Sequence, residues 1–242
     1  MEMMQDIRID GVSARSLGLI VDPLSPPPMA AHRYATYAVG GDQDMIVPDD
    51  SYDDIAYPVT LRIAGDPERF DNSALYNWLH GARQLKISQL PRYFFRIKRI
   101  SGITPTAKLR GNELTYNLTF TLAPFKYIDA EPTVELTGGG VVINNGTRYC
   151  KPVYTITLSA AYGQGTLTVN GHPLTITIPE TNPAAGNKII IDADLEMAYG
   201  TDYSNRTMQT AGIFRFLAPG VNVVELGGIC QSVSIQRNGR CY

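Results

Sequence analysis

The residues best suited to chemistry are the three histidines, His32, His80 and His172, because imidazole titrates near neutral pH and ligates metals. They fall beside a proline-rich connector, at a helix end and in a hairpin turn. None has a histidine, cysteine or acid nearby at ligand spacing. The segment Asp49-Asp50-Ser51-Tyr52-Asp53-Asp54 gathers carboxylates as a calcium loop does, yet it lacks the glycine and the distant glutamate of an EF-hand. It reads as a solvated acidic loop. Gly163-Gln164-Gly165 is followed by a strand pattern, so it reads as a turn and not as a dinucleotide site. There is no Gly-rich phosphate loop with Lys-Ser/Thr and no Gly-x-Ser-x-Gly elbow. Cys150, Cys230 and Cys241 are odd in number and irregular in spacing, which predicts reduced thiols. These residues predict no catalytic site, no metal and no cofactor, and hence a protein that is not an enzyme.

Charge is distributed more tellingly. No acid occurs between Asp71 and Glu113, an interval that carries Arg83, Lys86, Arg92, Arg96, Lys98, Arg99, Lys108 and Arg110. The compensating acids lie upstream, mostly from Asp42 to Asp54. Residues 1–130 are therefore nearly neutral but polarised. Three readings are open: an ordinary wet sheet face, a positive flank that meets the negative flank of the next copy in a closed ring, or a basic lining that faces passing DNA. Phe94, Arg96, Lys98 and Arg99 are the candidate positions for a subunit interface or a lumen.

The elements that must position these residues read mostly as strands. Ile7 and Ile9 alternate with polar residues, and Gly11 makes a turn. Pro23 and Pro26-Pro27-Pro28 predict an extended connector. Strands are expected over Tyr34 to Val39 and Ile55 to Ile63. One helix follows, with Asp66-Pro67 as its expected start, Phe70, Ala74, Leu75, Trp78 and Leu79 on its apolar side, and Gly81 as its stop. Strands then run from Leu85 to Ile87, Tyr93 to Ile100 and Leu114 to Leu122, the last with unbroken alternation. In the middle one, Phe94, Arg96 and Lys98 are expected to share a face.

Past Pro124-Phe125-Lys126-Tyr127 no helix is needed. Tyr154, Ile156 and Leu158 alternate with polar residues, Asn170-Gly171 is a strong hairpin signal, and Leu174, Ile176 and Ile178 run back. Further strands are expected over Ile189 to Ile191, Leu195 to Tyr199, Ile213 to Leu217, Val221 to Leu226 and Val233 to Ile235. Short strands at this spacing predict a β-sandwich. The composition, 44% hydrophobic and 18% charged, suits packed cores rather than disorder. A net charge of -2 supplies no general attraction to nucleic acid or anionic membrane. The start Met1-Glu2-Met3-Met4-Gln5-Asp6 lacks the apolar run of a secretory signal, and no stretch is apolar enough for a bilayer-spanning helix. Assembly in a cytoplasm, with no membrane insertion, is the expectation.

In order and spacing, several motifs resemble the distal tail proteins (Dit) of long-tailed phages and prophages. Ile9-Asp10-Gly11-Val12-Ser13 with Leu17-Gly18-Leu19 is similar to that family's opening, and Gly40-Gly41-Asp42 stands as a degraded Gly-Arg-Asp-Gly stretch. Tyr76-Asn77-Trp78-Leu79, Leu85-Lys86-Ile87-Ser88 and Pro91-Arg92-Tyr93-Phe94 resemble its helix and strand pair, and Leu118-Thr119-Phe120 with Pro124-Phe125-Lys126-Tyr127 its domain-closing motif. Val169-Asn170-Gly171, Ile190-Ile191-Asp192, the run from Gly212 to Asn222 and Val233-Ser234-Ile235-Gln236-Arg237 resemble its C-terminal modules.

The resemblance implies a mainly β protein: an N-terminal β-sandwich or barrel-like ring domain with one α-helix over 1–130, then a C-terminal galectin-like β-sandwich over 131–242. It implies a structural tail-tip protein of the virion, assembled in the host cytoplasm. Six copies would form a ring that joins the tail tube to baseplate or tail-fibre proteins, with DNA passing through the lumen without specific binding. The alternative is a cell-wall carbohydrate-binding module. With no tryptophan after Trp78, sugar stacking would fall to Tyr149, Tyr162, Tyr199 or Tyr203.

Overall fold

A computed structural model describes residues 5–38, 44–63, 70–107 and 114–242. The chain divides into two compact units, Met1–Asp129 together with Tyr242, and Ala130–Cys241.

The first unit contains β1 (Ile7–Ile9), β2 (Val12–Ser13), β3 (Leu19–Val21), β4 (His32–Ala38), β5 (Asp44–Tyr52), β6 (Ile55–Ile63), α1 (Asn72–Leu79), β7 (Gln84–Ile87), β8 (Tyr93–Ala107) and β9 (Leu114–Ile128). One antiparallel sheet runs β2-β1-β7-β8-β9-β6-β3 and curls into a half-barrel, while β4 and β5 pair with each other as a separate ribbon. The alternation read from the sequence sets the inside of the curl. Ile55, Tyr57, Val59 and Leu61 of β6 meet Leu118, Phe120 and Leu122 of β9, and all are buried.

The helix closes one side of this core with Leu75 and Leu79 buried and Trp78 half-buried, its indole N–H donating to the Val12 carbonyl at 3.2 Å. Its N-cap is Asp71, whose carboxylate accepts from the Ser73 N–H at 2.8 Å. The start expected at Asp66-Pro67 lies outside the described residues. The stop is as read: His80 leaves the helix and Gly81 takes a left-handed φ of 71°.

The acidic stretch corrects one expectation. Asp49 to Tyr52 belong to β5, so the connection between β5 and β6 is only Asp53-Asp54. The backbone ladder with β4, which reaches from Ala38 opposite Asp44 to His32 opposite Tyr52, carries the strand through Asp49 and Asp50.

The second unit contains β10 (Val134–Thr137), β11 (Gly139–Asn144), β12 (Val153–Leu158), β13 (Gly163–Val169), β14 (His172–Ile178), β15 (Lys188–Asp192), β16 (Met197–Tyr199), β17 (Thr210–Gly212), β18 (Gly220–Gly228) and β19 (Cys230–Gln236). Two five-stranded antiparallel sheets, β10-β19-β12-β15-β16 and β11-β18-β13-β14-β17, form the sandwich. Tyr154, Ile156 and Leu158 from one sheet share a core with Leu167, Val169, Leu174, Ile176 and Val224 from the other. The Asn170-Gly171 hairpin is present, with φ of 51° and 79°. The strand expected over Ile213 to Leu217 is displaced. Its ladder is Thr210–Gly212 on β14, and Leu217 makes only an isolated bridge to Cys150. Gly138 to Gly140 are more than a turn: Gly139 opens β11, and a Cβ there would lie 2.6 Å from the Val224 carbonyl oxygen.

Candidate assembly surfaces

Of the basic residues in the acid-free interval, Arg83, Lys86, Arg92, Arg96, Lys98 and Arg99 sit on β7, β8 or their approaches, and Lys108 and Arg110 lie outside the described residues. Strand β8 does not keep a uniform register against β9. It pairs Phe95 with Lys126, Ile97 with Leu122, Arg99 with Thr121 and Ile100 with Phe120, so irregularities fall on both sides of Ile97. They have two consequences. On β9 the buried set switches after Leu122 from even to odd residues, which buries Phe125 and Tyr127. On β8, Ile97 and Ile100 both pack on the core, while Lys98 and Arg99 between them are both exposed.

The four residues singled out from the sequence meet different partners. Phe94 stacks on Tyr127 with centroids 5.4 Å apart, and the Arg96 guanidinium lies 4.3 Å from the centre of the same tyrosine ring. Lys98 pairs with Asp54 at 2.6 Å. Arg99 is exposed and has no ion-pair partner among the described residues. Several charges are thus balanced within one copy: Arg33 with Asp53 at 2.6 Å and Lys86 with Asp129 at 2.7 Å. Such partly exposed pairs are worth about 0–1 kcal/mol each. A hollow of about 450 Å³ holds Arg8, Arg15 and Lys86, but Asp6 and Asp129 share it.

Two apolar surfaces were not found from the sequence. The first is the β4–β5 ribbon, where Tyr34, Tyr37, Met45, Ile46 and Val47 are all exposed. Tyr37 is opposite Met45, and Thr36 is opposite Ile46, so apolar groups lie on both faces. The second is on the outside of the sandwich, where Val141 is opposite Val223 and Ile143 opposite Val221, all exposed on edge strand β11 and its neighbour. The inner positions of those strands include Asn144 and Asn222, both buried. Asn222 is fully satisfied, accepting from the Ala218 N–H and donating to the Ala218 and Gly220 carbonyls. Beside the buried Val142 and Val224, two polar residues lie inside while four aliphatic ones lie outside, against the usual pattern. The signal was available: Val141-Val142-Ile143 and Val223-Val224 are apolar on both faces of a strand that covers one core.

The histidines and tyrosines are placed separately. His32 packs on Tyr34 and Tyr52 at the base of the ribbon, with centroids 5.0 and 4.7 Å away. Tyr199 and Tyr203 stack at 6.4 Å, and Tyr203 is 86% exposed. Among the described residues, no three His, Cys, Asp or Glu side chains are grouped to hold a metal ion. The three cysteines are free and buried. No helix among the described residues is long and apolar enough to cross a membrane.

No protein-family model and no curated protein sequence matches the chain. Solved structures do. The chain is similar to the SPP1 Dit (gp 19.1) protein, described as a paradigm of the hub adsorption apparatus in phages that infect Gram-positive hosts. The TM-score is 0.68 at 17% identity, over 96% of this chain and 97% of that one. It is also similar to a chain of the phage p2 baseplate in its activated conformation with Sr, at TM-score 0.55 and 8% identity over 96% and 97% of the two chains. A chain of the phage P2 baseplate with Ca gives 0.51 at 8% identity over 97% and 98%. At the level of fold, the resemblance read from the motifs holds: this is a mainly β chain with the fold of a phage distal tail protein along nearly its whole length.

Proposed function

We propose that the chain is a structural subunit of a phage tail tip, a distal tail protein that builds a hexameric ring between the tail tube and the baseplate or tail fibre. The observation that carries this reading is the end-to-end likeness to the SPP1 Dit protein, which spans both units and not one shared module. The surfaces support it. The first unit carries an exposed apolar ribbon and an Arg99 with no ion-pair partner among the described residues, as a self-associating subunit would. The second carries a patch of four exposed aliphatic residues, Val141, Ile143, Val221 and Val223, suited to docking a baseplate or tail-fibre partner. The role is one of assembly and not of catalysis, and DNA would pass the lumen without base contacts.

Within this reading Arg99 and Lys98 lie at the subunit interface, and Phe94 and Arg96 brace it through Tyr127. The test is light scattering on the purified chain with negative-stain microscopy. Six-fold rings are expected, and changing Arg99→Glu together with Lys98→Glu is expected to shift mass toward the monomer. A wild-type chain that is monomeric at all concentrations overturns the reading.

The stacked pair Tyr199–Tyr203 favours a second reading, because one exposed ring face is a surface on which a sugar can lie. Binding of cell-wall glycan that is lost on Tyr203→Ala would support it.

A further inference from the structure

We propose that β11, an edge strand of the second unit, takes up one further strand: an extended segment of a tail partner with two aliphatic residues at alternate positions followed by a lysine or arginine. This rests on the subunit reading above and names the chemistry of the partner at its aliphatic patch. The strand order of the sandwich leaves four edges, β10 and β16 on one sheet and β11 and β17 on the other. Three are guarded as edge strands usually are. β16 and β17 are three residues long, and β10 carries the exposed Glu135. β11 is Gly139-Gly140-Val141-Val142-Ile143-Asn144, six residues with no charge and no proline.

The register shows which backbone groups of β11 face outwards. Val141 lies opposite Val223. The Val223 carbonyl accepts from the Asn170 N–H at 2.8 Å, and the Val223 N–H donates to the Asn170 side chain at 2.9 Å, so both groups of Val223 point away from β11. In an antiparallel ladder bonded and unbonded pairs alternate. Val141 and Val223 are thus an unbonded pair, and the N–H and C=O of Val141 point to the open side. Ile143, two residues on, faces the same way, and its carbonyl accepts from Arg237 Nη1 at 2.7 Å. That side chain closes the edge at Ile143. Among the described residues β11 pairs with β18 alone, which leaves the two groups of Val141 to an incoming strand.

The outer face selects the side chains of that strand. Val141, Ile143, Val221 and Val223 are exposed there, and the exposed Glu225 continues the β18 row opposite Gly139. An antiparallel newcomer sets its successive same-face residues beside Ile143, Val141 and Gly139 in that order. The first two meet the aliphatic row. The third reaches Glu225, because Gly139 places no side chain between them. A segment of the form aliphatic-x-aliphatic-x-Lys/Arg therefore complements the edge in backbone, in apolar contact and in charge. The β11 of a second copy carries no cation, which favours a different chain over self-pairing.

The experiment uses the full chain and a capped, fluorescently labelled peptide, Thr-Val-Thr-Val-Thr-Lys-Thr, read by anisotropy. A second peptide has the same side chains and an N-methyl group on its second valine, whose amide would face Val141. Binding is expected for the first peptide, with a loss of about tenfold or more for the second, since the methyl removes a donor and keeps every apolar group. Changing the peptide's lysine to glutamate, or Glu225→Lys in the protein, is expected to weaken binding, and the two changes together to restore it. Val141→Lys, at an exposed position, is expected to leave the thermal melt unchanged and to abolish binding. A first peptide that does not bind at about 1 mM, or an N-methyl peptide that binds equally well, overturns the strand site. Light scattering tests the subunit reading separately. Rings that take up no peptide overturn the strand site alone, and a monomeric chain that binds it overturns the subunit reading alone.

Discussion

Arg237 and Glu131 are buried together in the second unit, each about 7% exposed, with Nε and Oε1 3.2 Å apart. The Nε–H is not aimed at that oxygen, so they attract as charges without a hydrogen bond between those atoms. Arg237 spends its other donors on the Ile143 and Pro132 carbonyls, and Glu131 accepts from the Gly239 N–H at 2.8 Å. Removing one partner leaves the other charged in a dry site. Arg237→Ala is therefore expected to cost about 3–5 kcal/mol in urea denaturation, whereas an exposed Tyr203→Ala should stay within about 0.5 kcal/mol. Burial acts on neutral groups too. It pushes the Cys150 thiol up to about 12, with Glu131 adding to the shift, and the Cys230 thiol to about 11. A thiol reagent at pH 8 should label neither until the chain unfolds.

Among the elements, the clearest test is the turn between β13 and β14. Asn170 and Gly171 both have positive φ, and the Asn170 side chain accepts from the Val223 N–H at 2.9 Å, tying the hairpin to β18. Gly171→Ala keeps every contact and strains the backbone, so a loss of about 1 kcal/mol is expected in the melting midpoint. Such turns, the helix stop at Gly81 and the alternation of β6 and β9 were legible because each is written in adjacent residues. The irregularities in β8 were not. They depend on which residue of β9 lies opposite, and tertiary pairing set Arg96 over Tyr127 and Lys98 against Asp54. The cap at Asp71 was not read from the sequence, because only its geometry, the carboxylate accepting from the Ser73 N–H, marks it as the N-cap.

For the molecule as a whole, pH gives a signed prediction. Cys150, Cys230 and Tyr57 are held neutral in the fold, with Tyr57 raised from 10.0 to about 12 by burial while its hydroxyl donates to the Ser25 carbonyl. Below pH 9 they are protonated both folded and unfolded, so they add no slope. Above the ordinary thiol value of 9.0 the unfolded chain releases protons that the folded chain keeps. Stability should then fall as pH rises toward 11 and 12, and a urea midpoint that stays flat through pH 11 would contradict the burial of these groups. The assembly surfaces were less legible than the cores. Periodicity reports which side of a strand is apolar, but whether Val141, Ile143, Met45 and Ile46 are covered is decided by the fold, which leaves them exposed.

The central claim is that this chain works by joining copies of itself. Light scattering of the purified protein across a concentration series measures that directly. The account predicts a stable hexameric multiple of the 26.5 kDa chain, lost toward single-chain mass on Arg99→Glu together with Lys98→Glu. A mass of 26.5 kDa at every concentration would contradict it.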